Sequence, residues 1–257
     1  MGKVIAIANQ KGGVGKTTTA VSLAACLAAA EKKTLLIDID PQGNATSGIG
    51  IDKNNLKYTV YDVLINGKTI LEAKKYTELN LLEIVPANIH LTGAEVELVN
   101  MLSRETRLKE ALDREKDKYN YIIIDSPPSL GLLTINTLVA ADSVLIPVQC
   151  EYYALEGLGQ LINTINLVKE RLNHNLEIEG ALLTMHDTRI NLATQVTNEI
   201  QNYFQDKVFK SIIPRNVSLS EAPSFGKPII FYAIKSKGSQ AYLDLTKEII
   251  SKNEKST

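Results

Sequence analysis

Cysteine, long apolar runs and an excess of either charge are all scarce in this chain, and each shortage excludes something. Two cysteines in 257 residues support no disulfide framework, and neither Cys26, within Ala24-Ala25-Cys26-Leu27, nor Cys150 has metal-ligand spacing. Both read as small core residues. No apolar stretch approaches the ~20 residues that span a bilayer. The hydrophobic start from Val4 to Ala8 is too short for a signal peptide and runs into glycine, so a cytoplasmic protein is the expectation. A net charge of −1, from 28 Lys and Arg against 29 Asp and Glu, is not the footprint of a strongly basic nucleic-acid binder. Repeats, low-complexity segments and charge blocks that would mark a linker are missing too, and the longest polar segments, Asp52 to Lys57 and Lys235 to Gln240, are loop-sized. Residues 1–257 are therefore expected to form a single domain, which at this length can bury one large α/β core.

What is present is an alternation of short β-rich runs with helical periodicity, the pattern of a mostly parallel, twisted sheet with helices on both faces. Strands are expected at Val4 to Ala8, Thr34 to Asp38, Leu81 to Val85, Tyr121 to Asp125, Val144 to Val148, Gly180 to Met185 and Val208 to Ile213. Ala20, Leu23, Ala24, Leu27 and Ala28 share one helical face, as do Leu155, Leu158, Ile162, Ile165, Val168 and Leu172 further on. Both stripes read as core rather than as binding faces. A final helix is expected from about Gln240 to Ser251, with Tyr242, Leu245 and Ile249 on one side. Open parallel sheets bind ligands at the carboxyl ends of their strands, so function is sought there.

The run Gln10-Lys11-Gly12-Gly13-Val14-Gly15-Lys16-Thr17-Thr18 follows the first strand directly and precedes an alanine-rich helix. Glycines let the backbone curl so that successive N–H groups face one anion, and the helix adds its positive end. Lys16 can then reach the outer phosphates of a nucleotide, and Thr17 can offer its hydroxyl to magnesium. The usual loop pattern has glycine where this chain has Gln10, and it makes no demand for the second lysine, Lys11.

Two strand ends carry aspartates, in Asp38-Ile39-Asp40-Pro41-Gln42-Gly43-Asn44 and in Asp125-Ser126-Pro127-Pro128. A strand-end aspartate can simply cap the turn that follows. Beside a phosphate loop it can also serve a metal, and Asp125 is suited to hold magnesium or its water ligands next to Thr17. Asp40 stands in a loop shaped by Pro41 and Gly43, able to respond to a γ-phosphate, which suits it to positioning water.

Taken together, Lys11 to Thr18, Asp38 to Asn44, Asp125-Ser126-Pro127-Pro128-Ser129-Leu130-Gly131 and Ile213-Pro214-Arg215-Asn216-Val217 resemble the ParA/Soj chromosome-partitioning ATPases, a deviant Walker A group of the P-loop NTPase fold. The resemblance runs from the first strand to about Lys252, and Pro147 to Gly157 with Leu219 to Ser224 look like the Soj branch. It implies ATP and Mg²⁺ as cofactors. Lys11 matches the signature lysine that crosses a dimer interface to phosphates held by the partner. Gly12, Gly13, Val14, Gly15, Lys16, Thr17 and Thr18 match the phosphate cradle, with Lys16 on the β- and γ-phosphates and Thr17 as a direct magnesium ligand. Asp40 matches the aspartate that orients the attacking water, and Asp125 the second magnesium-shell aspartate. Pro214 and Asn216 match the segment that contacts adenine. Two lysines, a metal and a fixed water suffice for phosphoryl transfer, which needs positioning and charge neutralisation more than covalent chemistry.

The same resemblance implies a slow ATP hydrolase, an ATP-dependent homodimer, sequence-independent DNA binding and a ParB/Spo0J-type centromere-binding partner that stimulates hydrolysis. The replication initiator DnaA is a further partner of this branch, and association with the nucleoid in the ATP state follows. Residues 187–257 carry ten Lys and Arg against seven Asp and Glu, a surplus of three against a deficit of four in the rest. Charge alone reads as a solvated surface; under the resemblance, Arg189, Lys235, Lys237 and Lys252 become the candidates for DNA phosphates. Because the phosphate loop begins at Gln10, the N-terminal helix-turn-helix of longer relatives is not expected.

Competing readings fit less well. A dinucleotide oxidoreductase is suggested by Gly13-Val14-Gly15 and Asp38, but Thr18 stands where the third glycine belongs. A MinD-like membrane-cycling ATPase would end in an amphipathic lipid-binding helix, whereas Lys247 to Lys255 offers two adjacent large apolar residues among alternating charges. An iron–sulfur reductase needs cluster cysteines. A non-enzymatic nucleotide-binding module has no use for Asp40.

Overall fold

The structure, a computed structural model, describes residues 2–254 except 152, 153, 188 and 190, with no side-chain detail at 154–156 and 191–193. Its centre is a seven-stranded sheet of β1 (Lys3–Ile7), β2 (Thr34–Asp38), β3 (Lys75–Tyr76), β4 (Leu82–Val85), β5 (Tyr121–Asp125), β6 (Ser143–Gln149) and β7 (Glu177–Thr184). The order is β3-β4-β2-β5-β1-β6-β7, and only β3 runs antiparallel to its neighbour. The central strands are near-continuous apolar runs because both faces are covered. Val4, Ala6, Leu35, Ile37, Ile122 and Ile124 meet one layer, which includes the helices Leu91–Val99, Leu132–Ala140 and Ala154–Arg171. Ile5, Ile7, Leu36 and Ile123 face the other, built on the helices Lys16–Ala29 and Lys237–Glu254. The period-two alternation of strand side chains divides the core this way.

The alanine stripe of Lys16–Ala29 is buried as expected, and the small side chains let this helix lie close against both the sheet and Lys237–Glu254. Thr19 Oγ1 and Tyr242 Oη hydrogen-bond at 3.0 Å across that helix pair. The face formed by Tyr242, Leu245 and Ile249 is spent in this packing, the face a lipid-binding helix would need to expose. Among the described residues no helix is long and apolar enough to cross a membrane. Leu158, Ile162, Ile165 and Val168 are buried, Leu172 lies beyond the helix end and is exposed, and the side chain of Leu155 lies outside the described residues. Both cysteines are buried.

Three expectations are corrected. Val208 to Ile213 is not a strand. It meets β7 at separate points, Phe209 N donating to Ala181 O at 3.0 Å and Ile213 N to Leu183 O at 2.9 Å. Between them the N–H groups of Lys210 and Ser211 donate to the Glu248 carboxylate at 2.9 and 3.1 Å, so a side chain has replaced the ladder. β7 ends at Thr184 rather than Met185, whose φ of 51° turns the chain out of the extended region. The last helix begins at Lys237, inside the polar segment read as loop, where the Ser236 hydroxyl accepts from Ser239 N at 3.1 Å.

β1 lies between β5 and β6, yet the chain leaves it for β2 on the far side of β5. The winding reverses there, and the carboxyl ends of β1, β2 and β5 form one rim in which Ile7 and Asp38 are both in register with Asp125.

Candidate functional site

The loop after β1 turns through Gly13 and Gly15, whose φ values of 74° and 87° lie in the left-handed region that brings successive N–H groups to one side. Asn9 anchors its start, accepting from Lys11 N at 3.0 Å and donating to Pro147 O at 2.7 Å. Thr184 anchors its end, its hydroxyl donating to Val14 O at 2.9 Å. The two lysines sit in different settings. Lys16 is buried and its Nζ donates to Lys11 O at 2.9 Å, spanning the loop. The Lys11 side chain is 34% exposed, with Nζ 3.6 Å from a carboxylate oxygen of Glu151.

Three carboxylates cluster at the strand rim, and two of them, Asp125 and Asp40, act on Lys16 of the loop. Asp125 is fully buried, and neither of its oxygens has a hydrogen-bond partner among the described residues. Burial, then the neighbouring charge of Asp38, pushes its pKa well above the carboxylate range. The Thr17 hydroxyl and Lys16 ammonium stand near enough to pull against that rise. Asp38 is pushed up to about 6, by burial first, with Asp40 adding repulsion. Burial also lowers the pKa of Lys16, opposed by Asp125 and Asp40. Asp40 is buried and accepts from Gln42 N at 2.9 Å. Two orphaned carboxyl oxygens beside a threonine hydroxyl fit a hard divalent cation, which prefers oxygen ligands, would favour the ionised form and would relieve the repulsion.

One hollow adjoins the loop, and a second shares the 214–216 segment with it. A cavity of about 290 Å³ is lined by Gly15, Thr18, Pro214, Asn216 and Tyr242 among others, roomy enough for a purine base. Asn216 uses its Oδ1 to cap the helix Val217–Glu221, accepting from Leu219 N at 3.3 Å; the cap makes no use of its amide nitrogen. On the other side of the 214–216 segment a larger cleft, about 1120 Å³, gathers Arg189, Lys210, Arg215, Lys235 and Lys237. Asp187 and Asp244 also line it, and Arg189 pairs with Asp187 at 2.6 Å. Lys252 is not brought there: its ammonium bonds the Glu179 carbonyl and stands 3.8 Å from the Glu179 carboxylate.

A family model described as an AAA domain matches residues 2–178. The sporulation initiation inhibitor protein Soj of Bacillus subtilis (strain 168) is 62% identical over 249 residues, covering 97% of this chain and 98% of that protein. This chain belongs to the ParA/Soj family. The chromosome partitioning protein ParA of Myxococcus xanthus (strain DK1622) is 60% identical over 253 residues, 98% of this chain and 89% of its own. A solved structure of cobyrinic acid a,c-diamide synthase from Mycobacterium smegmatis, with bound ATP analog and magnesium, matches with a TM-score of 0.88. It is 36% identical and spans 100% of this chain and 98% of its own. The α/β, P-loop NTPase fold expected from the sequence is thus the fold of this ParA/Soj chain.

Sequence reasoning missed two features of this region of the ParA/Soj chain. Lys210 and Arg215 join the basic cleft, and the only available signal was their place on either side of the Ile213-Pro214 motif. Asp38 was read as the start of the Asp40 segment and as the acid of a disfavoured dinucleotide site, not as a residue that fixes the Asp40 loop. A stability prediction follows from the orphaned carboxylate. In magnesium-free protein at neutral pH, Asp125→Asn is expected to stabilise the fold by about 1.4 kcal/mol for each pH unit between the ordinary carboxyl range and the raised one, and to raise Tm by a few degrees. The sign depends on pH: a carboxyl whose folded pKa is raised costs nothing while protonated in both states, and destabilises increasingly as pH climbs above the ordinary range near 4. The gain should therefore vanish below about pH 4 and grow above it, as thermal melts across pH would show, while magnesium ceases to affect the variant.

Proposed function

We propose that this ParA/Soj chain is a cytoplasmic ATPase of chromosome partitioning, with residues 1–257 working as one domain. It binds ATP with magnesium, closes into a sandwich dimer, holds DNA without regard to sequence, and is released when a ParB/Spo0J-type partner stimulates its slow hydrolysis. The observation that carries this reading is the shared wall: Pro214, Arg215 and Asn216 line both the cavity beside the phosphate loop and the basic cleft. A ligand that moves this segment on one side alters the other, which gives ATP a route to DNA affinity.

In this reading the Gly12 to Thr18 backbone and Lys16 hold the phosphates, and Lys11 of the second protomer completes their neutralisation. Thr17 and Asp125 hold magnesium, which when bound supplies charge neutralisation for phosphoryl transfer. Asp40, fixed by Gln42 N, orients water, while Pro214 and the amide nitrogen of Asn216 meet the base. Arg189, Lys235 and Lys237, joined by Lys210 and Arg215, meet DNA phosphates. Dimerisation doubles that face, which offsets the near-neutral total charge.

A salt titration of DNA binding with ATP, ADP and no nucleotide tests the scheme. Binding should require ATP and weaken steeply with salt, without preference for sequence. Lys210→Glu with Arg215→Glu should weaken it at least about tenfold and flatten the log–log salt slope by about one for each DNA phosphate no longer neutralised. Binding that ignores nucleotide, or a double variant with unchanged slope, would sink the assignment of the cleft.

A further inference from the structure

Asp38 is fully buried at the end of β2, and its two oxygens serve opposite ends of the segment that carries Asp40. Oδ1 accepts from Asp40 N at 3.1 Å. Oδ2 accepts from Thr46 N at 2.8 Å and from Thr46 Oγ1 at 2.7 Å. The Thr46 hydroxyl in turn accepts from Ala87 N at 2.9 Å, fastening the arrangement to the chain that follows β4. Between these points the loop is tightly turned, with Gly43 N donating to Asp40 O at 2.9 Å and Gly43 at a φ of 60°. A Cβ on Gly43 would lie 2.8 Å from Ala87 O, so the turn passes close to the chain after β4 at a point where a side chain has no room. The backbone from Asp40 to Thr46 is thus closed on itself through one side chain.

We infer that Asp38 is a positioning residue for ATP hydrolysis: its carboxylate staples residues 40 and 46 together and thereby sets where the Asp40 carboxylate stands. The inference rests on the proposed ATPase reading and concerns the regulation of that site's geometry. Only an ionised carboxylate can accept on both oxygens. An asparagine of the same shape must turn its NH₂ toward either Asp40 N–H or Thr46 N–H, setting donor against donor in a buried place. The loop then loses one of its two attachments while every phosphate-contacting group stays in place. A misplacement of the order of 1 Å in a catalytic group costs up to about a hundredfold in rate.

The test compares the unmodified chain with Asp38→Asn, Thr46→Val and Thr46→Ser, and with Asp40→Ala alone and combined with Asp38→Asn. Asp38→Asn should lower kcat about 10- to 100-fold, with little change in ATP affinity and with ATP-dependent dimerisation retained. Thr46→Val should fall between, and Thr46→Ser, which keeps the hydroxyl, should restore turnover. In nucleotide-free protein, amide exchange at Asp40 and Thr46 should speed up in Asp38→Asn. The combined Asp38→Asn, Asp40→Ala protein should be no slower than Asp40→Ala, because both act through one group. Unchanged kcat and exchange in Asp38→Asn, or a further loss in the combined protein, would overturn the inference. Should Asp38→Asn fail to fold, Thr46→Val against Thr46→Ser decides, equal turnover in the two counting against it. Absence of ATP turnover in the unmodified chain would instead strike the proposed function, so the two failures are told apart.

Discussion

Asp40→Ala is expected to leave a protein that binds ATP, dimerises and stays on DNA while hydrolysing ATP about 10²- to 10⁴-fold more slowly, the range for losing a group that handles the reacting water. Among the described residues the Asp40 side chain accepts one hydrogen bond, from Gln42 N, and the bonds that anchor the phosphate loop pass through other groups. Its removal therefore separates turnover from binding. The fold should not suffer, because the Asp40 charge raises the pKa of both Asp38 and Asp125 and so opposes their ionisation. Tm in the absence of magnesium should equal or exceed that of the unmodified chain. Single-turnover hydrolysis with sedimentation in ATP measures both halves, and unchanged turnover would remove the role given to Asp40.

Lys11→Ala is expected to do the reverse, keeping ATP on each protomer and losing the dimer. The backbone of Lys11 contributes to the loop, accepting from Lys16 Nζ, but its side chain meets only Glu151 among the described residues. Alanine keeps the carbonyl, so ATP affinity should stay within about twofold, the scale of a surface substitution. A charge pair broken at an interface costs about 2–5 kcal/mol, and a two-fold dimer holds two such pairs. The dimer Kd in ATP should rise more than about a thousandfold by that arithmetic. An ATP-dependent dimer of undiminished stability would show that Lys11 does not cross between protomers.

How far the sequence reached depended on the range of the forces involved. β1, β2 and β5 were legible because each is a buried apolar run closed by a local signal, glycine after the first and aspartate after the others. The phosphate loop was legible for the same reason. Val208 to Ile213 has the composition of a strand, yet Glu248, 38 residues from Lys210, takes the N–H groups the ladder needed. The basic cleft was equally remote from local pattern: Arg189, the stretch with Lys210 and Arg215, and Lys235 lie on three separate segments that meet only in the folded chain. Lys252 looked no different in sequence from Lys237, and the nearby buried Glu179 holds it elsewhere. The staple made by Asp38 depends on Thr46 and on Ala87, and only the proximity of the first two was visible in the chain.

The hydrogen bond between Thr19 and Tyr242 joins the first turn of the phosphate-binding helix to a helix more than two hundred residues later. Tyr242 also lines the cavity assigned to the base, together with Pro214 and Asn216. During synthesis, the loop, its lysines and both strand-end aspartates emerge long before the wall they need. A nascent chain of 200 residues would have the phosphate cradle and no place for adenine. Under the proposed reading, a chain cut short before residue 242 would therefore lack one wall of the base cavity, and it should hold ATP less well than the full chain in an equilibrium binding assay.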